Sequence, residues 1–174
     1  MSLDSNIVLI GPMGVGKSTI GRVLSQMTNR EFKDTDQVVE EKTGADIPWI
    51  FDVEGEEGFR DRESAVLSEL LNETGLVLAT GGGIVMREAN RELLSTQARV
   101  VYLTASVNQL LKRTRRDRKR PLLQVDDPKA KIESLINLRH PLYESISHTQ
   151  ISTENRTPKS VAEEIISNLD MLDA

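Results

Sequence analysis

The chain reads as an α/β domain built on a parallel sheet with helices covering both faces. Two observations carry that reading. Short apolar runs rich in β-branched residues are each cut off by glycine or a polar turn, which is the pattern of buried parallel strands. Between them lie stretches whose apolar residues recur at the helical period, so strands alternate with helices as in βαβ units.

Taken in order, Ile7-Val8-Leu9-Ile10 is the first strand, and a helix begins near Lys17 and continues through Thr19-Ile20-Gly21-Arg22-Val23-Leu24. Glu31-Phe32-Lys33-Asp34 is too short to assign from its pattern, although a strand there would complete five. Val66, Leu67, Leu70 and Leu71 form one apolar stripe of a helix. Leu76-Val77-Leu78-Ala79 and Arg99-Val100-Val101-Tyr102-Leu103 are strands, and Gln150-Ile151-Ser152 is a weaker one. Pro128 opens a helix from 129 to about 147 in which Pro141 must end or kink the coil. Pro158 starts the last helix, whose buried stripe is Val161, Ile165, Ile166 and Leu169. No repeat, linker or low-complexity tract divides the chain, so residues 1–174 are expected to form a single domain.

Composition narrows the function. The 174 residues include no Cys and only two His, which excludes thiolate catalysis, Cys-ligated zinc and His-rich metal sites. No run is long enough to cross a bilayer, and the first residues lack the basic and apolar regions of a secretory signal. A soluble cytoplasmic protein with no membrane association is expected. The net charge of −5 hides an asymmetry: residues 112–120 carry seven cations against one anion, Asp117, and the rest of the chain is correspondingly more acidic. One basic tongue on an acidic protein suggests a local anionic partner, not a nucleic-acid surface; an ordinary solvated helix face is the alternative.

Gly11-Pro12-Met13-Gly14-Val15-Gly16-Lys17-Ser18 matches G-x-x-x-x-G-K-[ST]. Its glycines let successive backbone N–H groups turn inward around phosphates, and the following helix adds the positive end of its dipole. Lys17 can reach the β- and γ-phosphates and the Ser18 hydroxyl can ligate Mg²⁺. With a strand before it and a helix after it, the motif predicts that Gly14, Val15, Gly16, Lys17, Ser18 and Thr19 bind a nucleoside triphosphate with Mg²⁺.

A GTPase switch is the first competitor. Asp52-Val53-Glu54-Gly55 formally matches its D-x-x-G segment, but no strand-like run precedes it, and no N-K-x-D guanine reader occurs. A small-molecule kinase instead needs a second substrate site and a lid that keeps water from the phosphoryl group. The tongue at 112–120 suits that lid. Asp34-Thr35-Asp36 would follow the suspected second strand at the carboxyl edge of the sheet, where ligands bind. One carboxylate can serve the Mg²⁺ shell while the other orients an acceptor hydroxyl. Capping of the helix near Gln37 is the structural alternative.

Six separated segments then bear a resemblance. The phosphate loop, Phe32-Lys33-Asp34-Thr35-Asp36, Gly58-Phe59-Arg60, Thr80-Gly81-Gly82-Gly83, Arg120-Pro121-Leu122-Leu123 and Arg139-His140-Pro141-Leu142-Tyr143 occur in the order and spacing of the shikimate kinase family. In detail the chain is similar to the bacterial type-I enzymes. The resemblance implies a five-stranded parallel sheet flanked by helices, a P-loop fold of the nucleoside monophosphate kinase type. It further implies a substrate-binding segment at about 35–64 and a mobile lid at about 113–127. It implies phosphoryl transfer from ATP to the 3-hydroxyl of shikimate, in aromatic amino-acid biosynthesis, by a monomer. In that frame Lys17, Asp36 and Arg120 are catalytic, and Asp34 serves Mg²⁺ through water beside Ser18. Asp36, Arg60, Gly81, Gly82, Gly83 and Arg139 bind shikimate, with Gly82 the leading backbone contact. Arg113, Arg120 and Arg156 serve ATP. Glu63 orients Arg60 or is a surface acid; Trp49 lines the substrate pocket, and Phe59 packs in the core or joins that lining. A gluconate-type sugar-acid kinase and a nucleotide-gated regulatory protein remain the alternatives.

Overall fold

The computed structural model describes residues 4–115, 117 and 119–174. Its five strands are β1 (Asn6–Ile10), β2 (Glu31–Asp34), β3 (Leu76–Ala79), β4 (Ala98–Thr104) and β5 (Thr149–Ser152). They pair in parallel in the order β2-β3-β1-β4-β5. The helices are α1 (Lys17–Thr28), α2 (Thr35–Thr43), α3 (Ile47–Leu71), α4 (Glu88–Gln97), α5 (Val107–Thr114), α6 (Pro128–Ile146) and α7 (Pro158–Asp173).

Alternation along the central strands divides the core into two layers. Val8, Ile10, Leu76, Leu78, Val100 and Tyr102 face one side and pack on α2, α3, α4 and the end of α6. Ile7, Leu9, Val77, Val101 and Leu103 face the other and pack on α1, α5, α7 and the start of α6. Both faces are buried, which is why these strands read as continuous apolar runs. β2 forms although its pattern was ambiguous: it is an edge strand held by its ladder to β3, from Glu31↔Leu76 to Asp34↔Ala79. Its side chains are only partly buried, so hydrophobicity could not reveal it.

Pro141 does not end α6, which runs on to Ile146. Ile132 on one side of the proline is seated in one core layer, and Tyr143 and Ile146 on the other side are seated in the second. Tertiary anchoring at both ends outweighs the hydrogen bond that proline removes. Passing from one layer to the other, α6 buries Arg139 between these anchors, at the carboxyl end of the sheet.

That end is where the topology opens a crevice. β1 and β3 are neighbours, yet the chain leaves β1 for α1 on one face and leaves β3 for α4 on the other, so the loops after them diverge. Side chains pin this strand pair at both ends. Asn6 accepts a hydrogen bond from Leu76 N at 2.9 Å and donates to Glu73 O at 2.8 Å. The Thr80 hydroxyl donates to Leu9 O at 2.8 Å. Asn6→Ala would strand two backbone groups, so chemical denaturation should show a loss of about 2 kcal/mol; an unchanged midpoint would remove Asn6 from this role.

Candidate active site

The loop between β1 and α1 forms one wall of the crevice. Lys17, buried at its base, donates to Gly11 O at 2.6 Å and Pro12 O at 2.8 Å. Burial, reinforced by the charge of Arg120, lowers its ammonium to about 7, against the pull of Asp36 and Asp34. Ser18 Oγ donates to Asp34 Oδ2 at 2.6 Å. The other carboxylate oxygen of Asp34 caps α2, accepting from Asp36 N at 2.9 Å and Gln37 N at 3.3 Å. The capping alternative for this acid is therefore realised, with its second oxygen turned to the phosphate loop. Gly14, Gly16, Lys17, Ser18, Thr19, Asp34, Asp36, Arg113 and Arg120 line a cavity of about 270 Å³. The Val15 side chain is buried in the core, leaving its backbone for the loop.

Arg113 braces this loop, donating from Nη1 to Val15 O at 2.9 Å and Gly14 O at 3.3 Å. Arg120 approaches across the cleft: its Nε meets Asp117 Oδ2 at 3.1 Å and its Nη1 stands 3.7 Å from Asp36 Oδ2. Arg116 and Arg118 of the basic tongue lie outside the described residues. Arg156 is not among the cavity residues; its guanidinium is taken up by Glu164 at 2.5 Å and by Ser160 at 2.9 Å.

A second, smaller cavity adjoins the first, lined by Asp36, Arg60, Glu63, Gly81, Gly82, Gly83, Arg120 and Arg139, with Phe51, Phe59 and Leu122. Asp36 and Arg120 line both cavities and stand at their junction. Arg60, Glu63 and Arg139 are 6%, 0% and 3% exposed, where arginines on helices are ordinarily solvated. Arg60 Nη1 meets Glu63 Oε1 at 2.8 Å and its Nη2 meets Glu56 Oε1 at 3.4 Å. Burial pushes the Glu63 carboxyl up while Arg60 pulls it down. Burial likewise lowers Arg139.

The absence of side chains at Gly81 and Gly83 is what permits this packing. A Cβ on Gly83 would lie 2.3 to 2.5 Å from the Arg60 guanidinium, and one on Gly81 would lie 2.7 Å from Glu63 Oε2 and 2.8 Å from Asp36 Oδ1. Those two oxygens, and Arg139 Nε, are buried with no hydrogen-bond partner in the protein. Polar groups left unsatisfied together at one cavity mark the place of a polar ligand. The Gly81 N–H itself donates to the Thr35 hydroxyl at 3.2 Å, so it holds α2 against the loop instead of pointing into the cavity.

Trp49 departs from its expected place: it is 51% exposed and outside the cavity lining, on the outer face of α3. Phe59 is buried in the core, 5.0 Å from the ring of Phe51, and also reaches the cavity. Asp52-Val53-Glu54-Gly55 lies within α3 at the point where Gly55 interrupts the helix, exposed and away from the crevice. The largest cavity described, about 1130 Å³ beside α5, contains no residue of either glycine loop. Thr35, Asp117 and Tyr143 had no assigned part in the sequence reading. Tyr143 lies four residues beyond Arg139 on α6, a spacing that puts both on one helix face.

No three acids, histidines or cysteines gather into a metal site among the described residues. Mg²⁺ does not require one, because it takes one or two protein oxygens and completes its shell with water and phosphate. The adjacent oxygens of Ser18 and Asp34 fit that demand. No helix among the described residues is long and apolar enough to cross a membrane.

Burial, followed by the charges of Asp34 and Glu63, pushes the Asp36 carboxyl up to about 7, while Arg120 and Lys17 pull it down. Removing the Glu63 charge removes one of the upward influences. In ligand-free Glu63→Gln protein, the Asp36 carboxyl carbon should therefore titrate at lower pH than in the unsubstituted protein, where its midpoint falls near neutrality. Carbon-13 NMR across pH 4–9 checks this, and a midpoint in the ordinary carboxylate range in both proteins would contradict it.

The sequence model of the shikimate kinase family matches residues 13–170. A shikimate kinase of Vibrio campbellii is 54% identical over 170 residues, spanning 98% of this chain and 99% of that protein. One of Pseudomonas paraeruginosa is 53% identical, spanning 96% and 97%. The solved structure of shikimate kinase from Acinetobacter baumannii in complex with shikimate superposes with a TM-score of 0.95 at 48% identity, covering 96% of this chain and 93% of that one. A gluconokinase from Sinorhizobium meliloti shares the fold at a TM-score of 0.65 and 16% identity.

Proposed function

The chain belongs to the shikimate kinase family, and from that premise we propose how its residues carry out the reaction. The enzyme transfers the γ-phosphoryl group of ATP to the 3-hydroxyl of shikimate, giving shikimate 3-phosphate and ADP, in the route to chorismate and the aromatic amino acids. The observation that carries the site assignment is the junction: Asp36 and Arg120 belong to both cavities, and one of those cavities is built on the phosphate loop.

ATP occupies the cavity of Gly14, Gly16, Lys17, Ser18 and Thr19, with Arg113 and Arg120 beside it and the Val15 backbone completing the loop. Arg156 serves the adenine side, on the strength of the family resemblance alone. Lys17, which donates to carbonyls of its own loop, carries its full charge against phosphate, because an adjacent anion favours the ammonium. Ser18, and Asp34 through water, hold Mg²⁺, which when bound neutralises charge on the β- and γ-phosphates.

Shikimate occupies the second cavity. Its carboxylate meets Arg60 and Arg139, whose planar forks suit two-point recognition. Its ring lies against Gly81, Gly82 and Gly83. Glu63 holds Arg60 in position. Asp36 accepts the hydroxyl proton as the oxygen attacks phosphorus, the bond to the β-phosphate oxygen breaks, and ADP departs with that electron pair. A carboxyl poised near 7 is matched to that task at neutral pH. Lys17 and Arg120 stabilise the charge on the transferring group. The lid that the family resemblance implies at about 113–127 closes over it and keeps water out.

A monomer of one domain is the reading that the family resemblance supports. A cytoplasmic location, where ATP is supplied, and small-molecule partners alone, without nucleic acid or membrane, complete the proposal. Coupled ADP release should appear with shikimate and be absent with gluconate, with AMP and without acceptor. Turnover with gluconate instead would move the enzyme to the sugar-acid kinases, and release without acceptor would indicate a nucleotide switch. Asp36→Asn should lower kcat by at least about 100-fold while ATP affinity stays within about threefold; unchanged turnover would reassign the base.

A further inference from the structure

Tyr143 is the largest side chain withdrawn almost entirely from water, at 1% exposure, and the reaction as described does not use it. Its hydroxyl donates to Gly82 O at 2.5 Å. Arg139 stands one helical turn before Tyr143 on α6 and lines the same small cavity as its ring, and Arg139 Nη1 comes within 3.2 Å of where a Cβ on Gly82 would be. A phenol has one proton to give and lone pairs to accept with. With the proton committed to Gly82, the oxygen presents its lone pairs to the cation.

Nothing leaves this ring free to move. Tyr143 is four residues from Arg139 on α6, and its ring packs 4.8 Å from that of Tyr102 on β4. The Tyr102 hydroxyl is itself held at 2.8 Å by His140 Nδ1. Burial pushes the Tyr143 phenol well above its ordinary range, so the proton stays in place throughout the working pH range.

We propose that Tyr143 is a positioning residue for the acceptor's carboxylate, tying the Arg139 fork to the Gly82 carbonyl and so fixing the distance between the two walls of the acceptor cavity. The inference rests on the reading of that cavity as the shikimate site. Arg139 Nε is buried without a protein partner, so the guanidinium is not held by a carboxylate at that nitrogen, and the phenol oxygen is a neutral substitute that does not compete for the ligand's charge. A carboxylate in place of Tyr143 would satisfy Arg139 and weaken its hold on an anionic acceptor.

Steady-state kinetics of Tyr143→Phe, which keeps the ring and its packing on Tyr102, provides the test. KM for shikimate should rise about tenfold, with kcat within about twofold and KM for ATP unchanged. In an Arg139→Lys background the same substitution should add less than about twofold, because its effect passes through the guanidinium fork. Tyr102→Phe should leave KM for shikimate unmoved, since its hydroxyl does not touch Gly82. An unchanged KM in Tyr143→Phe, a full tenfold effect in the Arg139→Lys background, or an equal effect of Tyr102→Phe would each overturn the proposal. The unsubstituted enzyme assayed alongside separates this from the functional reading: failure to phosphorylate shikimate at all would sink that reading instead.

Discussion

Charge held out of water at the carboxyl end of the sheet is the constraint around which the remainder of the structure is organised. Lys17, Arg60, Glu63 and Arg139 are all less than a tenth exposed, and a buried ion costs several kcal/mol unless it is compensated. Only Arg60 and Glu63 satisfy one another closely. Lys17 settles for backbone carbonyls, and Asp36 rests near neutrality. Buried charge thus stands on both sides of one junction. On the proposed assignment, anionic ligands on either side offset that charge, so binding and charge compensation are the same event.

The elements that meet this constraint were legible to very different degrees. The central strands and the phosphate loop could be read directly, because burial on both faces and a fixed glycine pattern leave strong marks on composition. β2 left almost none, since an edge strand is specified by backbone pairing with a neighbour distant in sequence. Arg60, Glu63 and Arg139 look like ordinary helix-surface charges; only the six-part family resemblance singled them out, and only the packing shows them buried. Trp49 misled for the opposite reason. A rare large aromatic suggests a pocket, but helical phase turns it outward. Arg156 has its charge taken up within its own loop and helix, which no local pattern discloses. Tyr143 was in plain view within a motif, yet its contact with Gly82 spans 61 positions of sequence.

Two features show one residue answering to several demands. Asp34 ends β2, caps α2 with one oxygen and takes the Ser18 hydroxyl with the other, so the strand edge, the helix start and the phosphate loop share one carboxylate. α6 links the two core layers across its proline and sets Arg139 between its anchors. In each case the scaffold and the chemistry are not separable parts. A change made for stability at these points is also a change to the site.

The loop of three glycines has a consequence for inhibition. A compound that reads the backbone there contacts atoms that no codon change can remove. Adding a methyl group at Gly83 to exclude such a compound would drive into the Arg60 guanidinium, and one at Gly81 would press on Asp36 and Glu63. On the proposed assignment, resistance by substitution in this loop therefore also damages the enzyme's own grip on its acceptor. Escape is left to the rim, at positions such as Met13, Phe51 and Leu122, and compounds that lean least on those residues should be the hardest to evade.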